Sequence, residues 1–394
     1  MESLMSMFVS LVTLLTVVSH PNIVMEETKQ KVNLIDSSII LTIRCDKTNI
    51  KVGDEIPIVF TIKNERFVPF NYVVDISLKD TDRIVVSKYK LDVVDQNGKP
   101  IVDPQKNQGG AYSGPCSFQT LLPNQTFTKT LILNQWALLK KPGEYTITGH
   151  YSLECQGTII ASPPIKIKIL PRTDAEMATY IEHLKKQLAN TTEDEKYQRL
   201  VKKLLYTCDP RIAPILIDEI YKSTAGSFWV FEGFVCYLPK DKKTDLLLLD
   251  AVKKQGLRYS LLGTLEVRGI NKKEIKSLIE ISLSPEHPDA WESGAFAAQR
   301  YPDESFVPRL IAIATDSKTA TRAAIQALAH NRTDASVAAL KKLLKEPDSV
   351  KIDRESIRKI TEDAIRSAYK YPRKDKSKQL RKDDFDEKYQ TDKK

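Results

Sequence analysis

Apolar and polar residues alternate in the first part of this chain and recur at helical spacing in the second. Ile39, Leu41 and Ile43 alternate with Ile40, Thr42 and Arg44, and Ile56, Ile58, Phe60 and Ile62 with Pro57, Val59, Thr61 and Lys63. Val74, Ile76 and Leu78 repeat the pattern, and Ile165, Ile167 and Ile169 enclose Lys166 and Lys168. A period of two with one polar face predicts antiparallel strands, half buried in a sandwich. Turn signals fall between the runs: Val52-Gly53-Asp54, Asn97-Gly98 and Pro142-Gly143. Asn-Gly is the strongest of these because both residues tolerate positive φ. Residues 104–119 are rich in Gly, Ser and Gln and read as a floppy insertion, with Tyr112 at its tip as a candidate contact residue.

After Ile-Leu-Pro-Arg, Thr173-Asp174 offers a helix N-cap, and Asp209-Pro210 offers a cap residue followed by proline. Helical periodicity then runs to Lys370 and predicts about twelve helices. The later ones are expected to pair as 241–254 with 257–268, 271–283 with 288–300, 303–315 with 318–330, and 334–345 with 353–370. A repeat is hidden here. Gly233, Gly263, Gly294 and Ala324 each sit mid-helix, separated by 30, 31 and 30 residues. Glycine inside a helix costs up to about 1 kcal/mol against alanine, so its recurrence implies close approach of neighbouring helices. A period near thirty predicts stacked helical hairpins, none of which buries its apolar face alone.

At 394 residues the chain is long for one core. The pattern divides it into a strand domain at 36–172, a helical domain at 173–371 and a charged tail at 372–394 that is expected to be disordered. The net charge of +9 is spread among both signs, which reads as a solvated surface and argues against a nucleic-acid partner. Phe8 to Val18 is an apolar run without charge, too short for the roughly 20 residues of a membrane span. Its length fits the apolar core of a secretory signal within residues 1–25. The run lacks a basic flank, and the alternative is a buried N-terminal segment. In an exported chain, Cys116–Cys155 and Cys208–Cys236 are open as disulfides; buried thiols are the alternative.

Catalytic patterns are missing from the sequence. The five histidines have no ligand spacing, and no nucleophile elbow, metalloprotease helix or phosphate loop occurs. The chain therefore reads as a non-enzyme with neither cofactor nor metal. Phe228, Trp229, Phe231 and Phe234 crowd one helix; they fill a core or form a partner-binding patch. Glu232, Arg258, Glu266, Arg268, Glu292, Arg300 and Arg322 lie on or beside the glycine-bearing helices. Trp229, Phe231, Arg258, Arg322 and Tyr112 are the candidate partner-binding residues.

Two resemblances add to this reading. TATRAAIQALAHNRTDASVAALKKLLKEPD (319–348) resembles a HEAT-like repeat: Arg322, Ala323, Ala324, Ala327 and Leu328 match one helix, and Asp334, Val337, Leu340 and Leu344 the next. DPRIAPILIDEI (209–220) and PDESFVPRLIAIAT (302–315) resemble its second half. The segment LLKKPGEYTITGHY resembles the tyrosine corner of immunoglobulin-like sandwiches, with Tyr145 as the tyrosine. With VGDEIPIVFTIKN and DQNGKPI it is also similar to bacterial intracellular proteinase inhibitor domains. The resemblances imply an Ig-like antiparallel β-sandwich followed by an α-solenoid of HEAT-like repeats. With the apolar run at residues 8–18, the thirty-residue repeat and the missing catalytic patterns, the expectation is a secreted or periplasmic scaffold that binds a protein or peptide. Protease inhibition by the β domain is the alternative. A HEAT-like lyase is a third reading, without chemistry here to support it.

Overall fold

The computed structural model describes residues 38–75, 88–106, 116–153, 159–222, 231–317, 319–345, 358–359, 361–363 and 365. The apolar run of residues 1–25, Tyr112, Cys155, Phe228, Trp229 and the tail at 372–394 lie outside the described residues, as does most of the helix expected at 353–370. The chain forms two compact units, Met1–Cys208 and Asp209–Lys394.

The strands of the first unit are β1 (Ile39–Arg44), β2 (Ile50–Lys51), β3 (Pro57–Asn64), β4 (Phe70–Asp75), β5 (Tyr89–Asp95), β6 (Cys116–Leu121), β7 (Thr126–Ile132), β8 (Gly143–Ser152), β9 (Ile159–Ala161) and β10 (Ile165–Leu170). One sheet has the order β1-β3-β7, another the order β2-β10-β8-β5 with β9 also on β8, and β4 pairs with β6. All these pairs are antiparallel except β2 with β10. The expected alternation is present: β1 is buried and exposed by turns, and Ile58, Phe60 and Ile62 of β3 are at most 1% exposed. Inward residues of the sheets, among them Ile43, Phe60, Leu91, Ile147 and Ile167, share one core. Burying each such side chain stabilises by roughly 1.5–3 kcal/mol.

Two turns show how the sequence sets register. After β5, Asp95 Oδ1 accepts from the N–H groups of Asn97 and Lys99, and the chain returns as Ile101 N–H donates to Val93 O. Before β8, the Tyr145 hydroxyl donates to Lys141 O at 2.8 Å. One expectation changes: the end of the loop assigned to residues 104–119 is strand, because β6 starts at Cys116 and pairs along β4.

The helices α1 (Asp174–Ala189) and α2 (Asp194–Tyr206) belong to this same unit. Thr173 caps α1 in a capping box with Glu176. Met177, Ile181, Leu184 and Leu188 form its buried stripe. The helices are tied to the strand layer by Lys51–Glu176, Arg172–Asp54 and Arg199–Glu55 ion pairs of 2.7, 2.6 and 2.8 Å.

The second unit holds α3 (Ala213–Lys222), a π-helical turn at Gly233–Tyr237, α4 (Lys242–Gln255), α5 (Tyr259–Val267), α6 (Lys272–Ser282), α7 (Trp291–Arg300), α8 (Val307–Asp316), α9 (Thr321–Asn331) and α10 (Asp334–Lys345). Expected starts at 288 and 303 become 3₁₀ turns, Pro288–Ala290 and Glu304–Phe306, which tighten the entry to α7 and α8. The helices pack in two rows. The π-helical turn packs on α5, α5 on α7 and α7 on α9; in the other row α3 packs on α4, α4 on α6 and α8 on α10. The rows meet where α6 packs on α7, α8 on α9 and α9 on α10.

The small residues all fall in the first row, though their contacts differ. A Cβ on Gly263 would sit 3.3 Å from the Phe231 ring, while one on Gly294 would sit 3.2 Å from Ser282 and Leu283 at the end of α6. Ala324 is fully buried, and Gly233 opens the π-helical turn. A π turn leaves its carbonyls out of helical register. Arg268 supplies a partner for one of them: its buried guanidinium donates to Phe234 O at 2.9 Å, and it also pairs with Asp245 and donates to Pro239 O at 2.7 Å just beyond the turn.

Arg268→Ala is expected to lower stability of the second unit by about 3–5 kcal/mol, read by thermal or urea unfolding, because it strands buried acceptors and Asp245. Asp303 gives a pH prediction. It caps the turn before α8, accepts from Ser305, and meets Lys276 Nζ at 2.7 Å, which holds its carboxyl down to about 2. A depressed carboxylate contributes stability above its unfolded pKa of about 4. That contribution should fade as pH falls from about 4 to about 2. Asp303→Asn should flatten the pH dependence of unfolding in that window.

Candidate binding face along α5, α7 and α9

The row of small residues has an open side. In α9, Thr321, Ala324, Ile325 and Leu328 point inward, leaving Arg322, Gln326 and His330 toward solvent. In α7, Gly294, Ala295, Ala297 and Ala298 are buried, leaving Glu292, Phe296 and Arg300 outward. The spacing of four residues places each outward set on one helix face. Gln299 Nε2 donates to Ala323 O at 3.4 Å, which brings the two open sides together.

Aromatic rings line the early part of this row. Phe231 is half-buried over Gly263, where the missing side chain leaves room for its ring. Tyr259 is 43% exposed and packs on Phe296 with ring centroids 4.2 Å apart and a tilt of 39°. Burial raises the Tyr259 phenol above its ordinary range. Glu292 keeps solvent contact as a residue, yet burial of its carboxyl raises its pKa.

The charges beside the rings are of three kinds. Glu266 accepts from the Tyr301 hydroxyl at 2.6 Å and pairs with Arg300 at 3.0 Å, joining the end of α5 to that of α7. Burial, and then Glu266, keep the Tyr301 proton in place. Arg258 is a brace: it lies over the Tyr221 ring at 5.4 Å and donates to Asp289 O at 2.9 Å. Arg322 is exposed, and among the described residues it has no hydrogen-bond or ion-pair partner.

Of the residues singled out from sequence, Phe231 and Arg322 lie on this row and Arg258 supports its edge. Trp229 and Tyr112 lie outside the described residues. Arg268 is a buried structural cation, as described above. Sequence reasoning missed Tyr259, Phe296 and Tyr301. Their signal was present: Tyr259 precedes Gly263 by one helical turn, and Phe296 lies two residues after Gly294.

Elsewhere, a cavity of about 480 Å³ is lined by Ser277, Glu280, Ser284, Glu286, His287 and Arg309. In the first unit, one of about 640 Å³ is lined by Lys51, Arg172, Glu176, Tyr180 and His183. Its cations are paired with Glu176 and Asp54, and Arg172 stacks on Tyr180 at 4.1 Å. Among the described residues, no group of three or more His, Cys, Asp or Glu is gathered to hold a metal. Neither Cys208 nor Cys236 is in a disulfide, and burial pushes the Cys208 thiol up to about 11. Among the described residues no helix is long and apolar enough to cross a membrane.

No protein-family model matches the chain, and no curated protein does. Among solved structures, Salmonella alpha-2-macroglobulin reacted with methylamine is similar at 11% identity and a TM-score of 0.18, over 85% of this chain and 26% of that one. A point variant of the same Salmonella protein is similar at 10% identity and a TM-score of 0.19, over 86% of this chain and 28% of that one. The chain thus spans about a quarter of their length, and likeness at this level says nothing about fold or activity.

Phe231→Ala should cost less stability than truncating a fully buried ring, because Phe231 is only partly buried. Phe234→Ala, at 0% exposure three residues on, should cost about 3–5 kcal/mol. Equal losses in urea unfolding would make Phe231 a core residue and remove it from the face.

Proposed function

We propose that this chain is a non-catalytic binding protein: an Ig-like β-sandwich followed by an α-solenoid of HEAT-like repeats, acting as a scaffold at a bacterial envelope or in the periplasm. The observation that carries this reading is the row of α5, α7 and α9, with partly exposed rings and an exposed Arg322 on its open side. Rings and arginines at a shared surface are the side chains on which protein interfaces most depend. The thirty-residue step and the two packed rows support the HEAT-like reading. The order β2-β10-β8-β5 and the Tyr145 hydroxyl bonded back to Lys141 support the Ig-like one. The apolar run near the N-terminus supports export.

A second reading, protease inhibition through the first unit, is favoured by one observation, a fully exposed phenylalanine at the tip of a fixed loop.

The test of the main reading is site-specific photocrosslinking in the native host. A photoreactive residue at Glu292 or Arg322 should capture one defined protein product, and Arg322→Glu should weaken that capture at the Glu292 site. The same probe at Leu246, an exposed residue of α4 in the other row, should not capture it. Capture at Leu246 alone, or at no position, would reject the face.

A further inference from the structure

The cavity of about 480 Å³ lies between α6 and the entry to α8, and its size falls within the roughly 300–1,000 Å³ of small-molecule sites. Its two sides carry opposite charge. Glu280 lines it from α6 and Glu286 from the connection to α7, while Arg309 lines it from the first turn of α8. Between them the half-buried Ile281 faces the cavity, and Leu283 and Phe306 close it at 1% and 3% exposure.

The walls are set before any ligand arrives. Lys276 of α6 pairs with Asp303, at the entry to α8, at 2.7 Å and holds the two sides together. The connection that carries Glu286 is braced as well: Ser284 O accepts from His287 N–H at 3.2 Å and from Trp291 Nε1–H at 2.8 Å. Pro285 and Pro288 restrict φ on both sides of Glu286 and His287. The Ser284 hydroxyl, and then the Glu286 backbone N–H, hold the Glu286 carboxyl below its usual range; Arg309 and His287 add to this. Arg309 is thus near enough to favour the Glu286 carboxylate, yet the two do not close into an ion pair. Among the described residues, Arg309 and Glu280 have no hydrogen-bond or ion-pair partner. Opposite charges therefore face each other across a gap with an apolar floor.

We propose that this cavity binds a free α-amino acid with an apolar side chain, its ammonium group toward Glu280 and Glu286, its carboxylate on Arg309 and its side chain over Ile281. An ammonium and a carboxylate on one carbon answer both walls at once, and a guanidinium fork matches a carboxylate. A simple anion would meet the two glutamates, and a simple cation would meet Arg309. An uncharged ligand would take water from three charges and return none of the lost interaction. Walls already tied by Lys276 and Asp303 spare the ordering cost of binding. The site belongs to the row of α4, α6, α8 and α10, away from the open side of α5, α7 and α9. It adds a small ligand to the reading above without resting on it.

The experiment is calorimetric titration of the full chain with valine, leucine, isoleucine, methionine and phenylalanine. At least one should bind with a saturating isotherm. For leucine, the comparators are isocaproate, which lacks the ammonium group, and isoamylamine, which lacks the carboxylate; the other amino acids have matching pairs. Each comparator should bind about tenfold more weakly or worse. Arg309→Gln should weaken the amino acid by about tenfold or more and leave the amine unchanged. Glu286→Gln should weaken the amino acid and the amine and leave the acid unchanged. Both positions are exposed, so both variants should melt with the parent. Binding by none of the five amino acids would overturn the proposal. So would an acid or an amine that binds as well as its amino acid, or amino-acid binding that ignores both variants.

Discussion

No helix of the second unit can bury its apolar face alone. Helix α5 has nine residues, short of the dozen or more an isolated helix needs in water. Its stability comes from what lies on either side: the π-helical turn before it and α7 after it. That stacking needs room, which the backbone at Gly263 and Gly294 provides by omitting a side chain where Phe231, Ser282 and Leu283 approach. The helix-propensity cost of each glycine, up to about 1 kcal/mol, is set against burial that a bulkier residue would prevent. The open side of the same row is the candidate binding face. Packing and the candidate face therefore share one set of helices, with small residues turned inward and rings and charges turned outward.

Arg268 and Asp303 show how the steps are locked. Each is a polar group serving several elements at once: Arg268 joins α5 to Asp245 and the carbonyls around the π-helical turn, and Asp303 joins α6, α8 and the end of α9. Such groups fix register between neighbours in a way that apolar contact, which has no direction, does not. The first unit uses the same device. Asn134 satisfies the Ile56 N–H and the Asp54 carbonyl at 2.9 and 3.0 Å, and Asn64 fixes the turns around β3.

Much of this was legible in the sequence. Strand alternation at Ile39–Ile43 and Ile165–Ile169, the capping of α1 by Thr173, and the bounds of α4 and α10 follow from period and cap chemistry, which are local. What was hidden is non-local. The glycines share a spacing, but only the packing shows that Gly263 meets a ring and Gly294 meets the end of α6. Strand-to-helix change at Thr173 marks a change of element, while the compact unit runs on to Cys208 through ion pairs that no periodicity encodes. Arg268 and Arg322 look alike as letters near helix ends. One is buried and satisfied and the other is open to solvent, a difference decided by the neighbouring helix.

The central claim is that each step of the second unit is held by its neighbours through the small-residue row. Amide hydrogen exchange of the full chain with Gly294→Leu tests it most directly. A side chain at that position has backbone and side chain of Ser282 within 3.3 Å, so α6 and α7 must part to admit it. The account predicts faster exchange in α6 and α7 and also in α5 and α9, the flanking members of the row. Faster exchange confined to α7, or none, would contradict it.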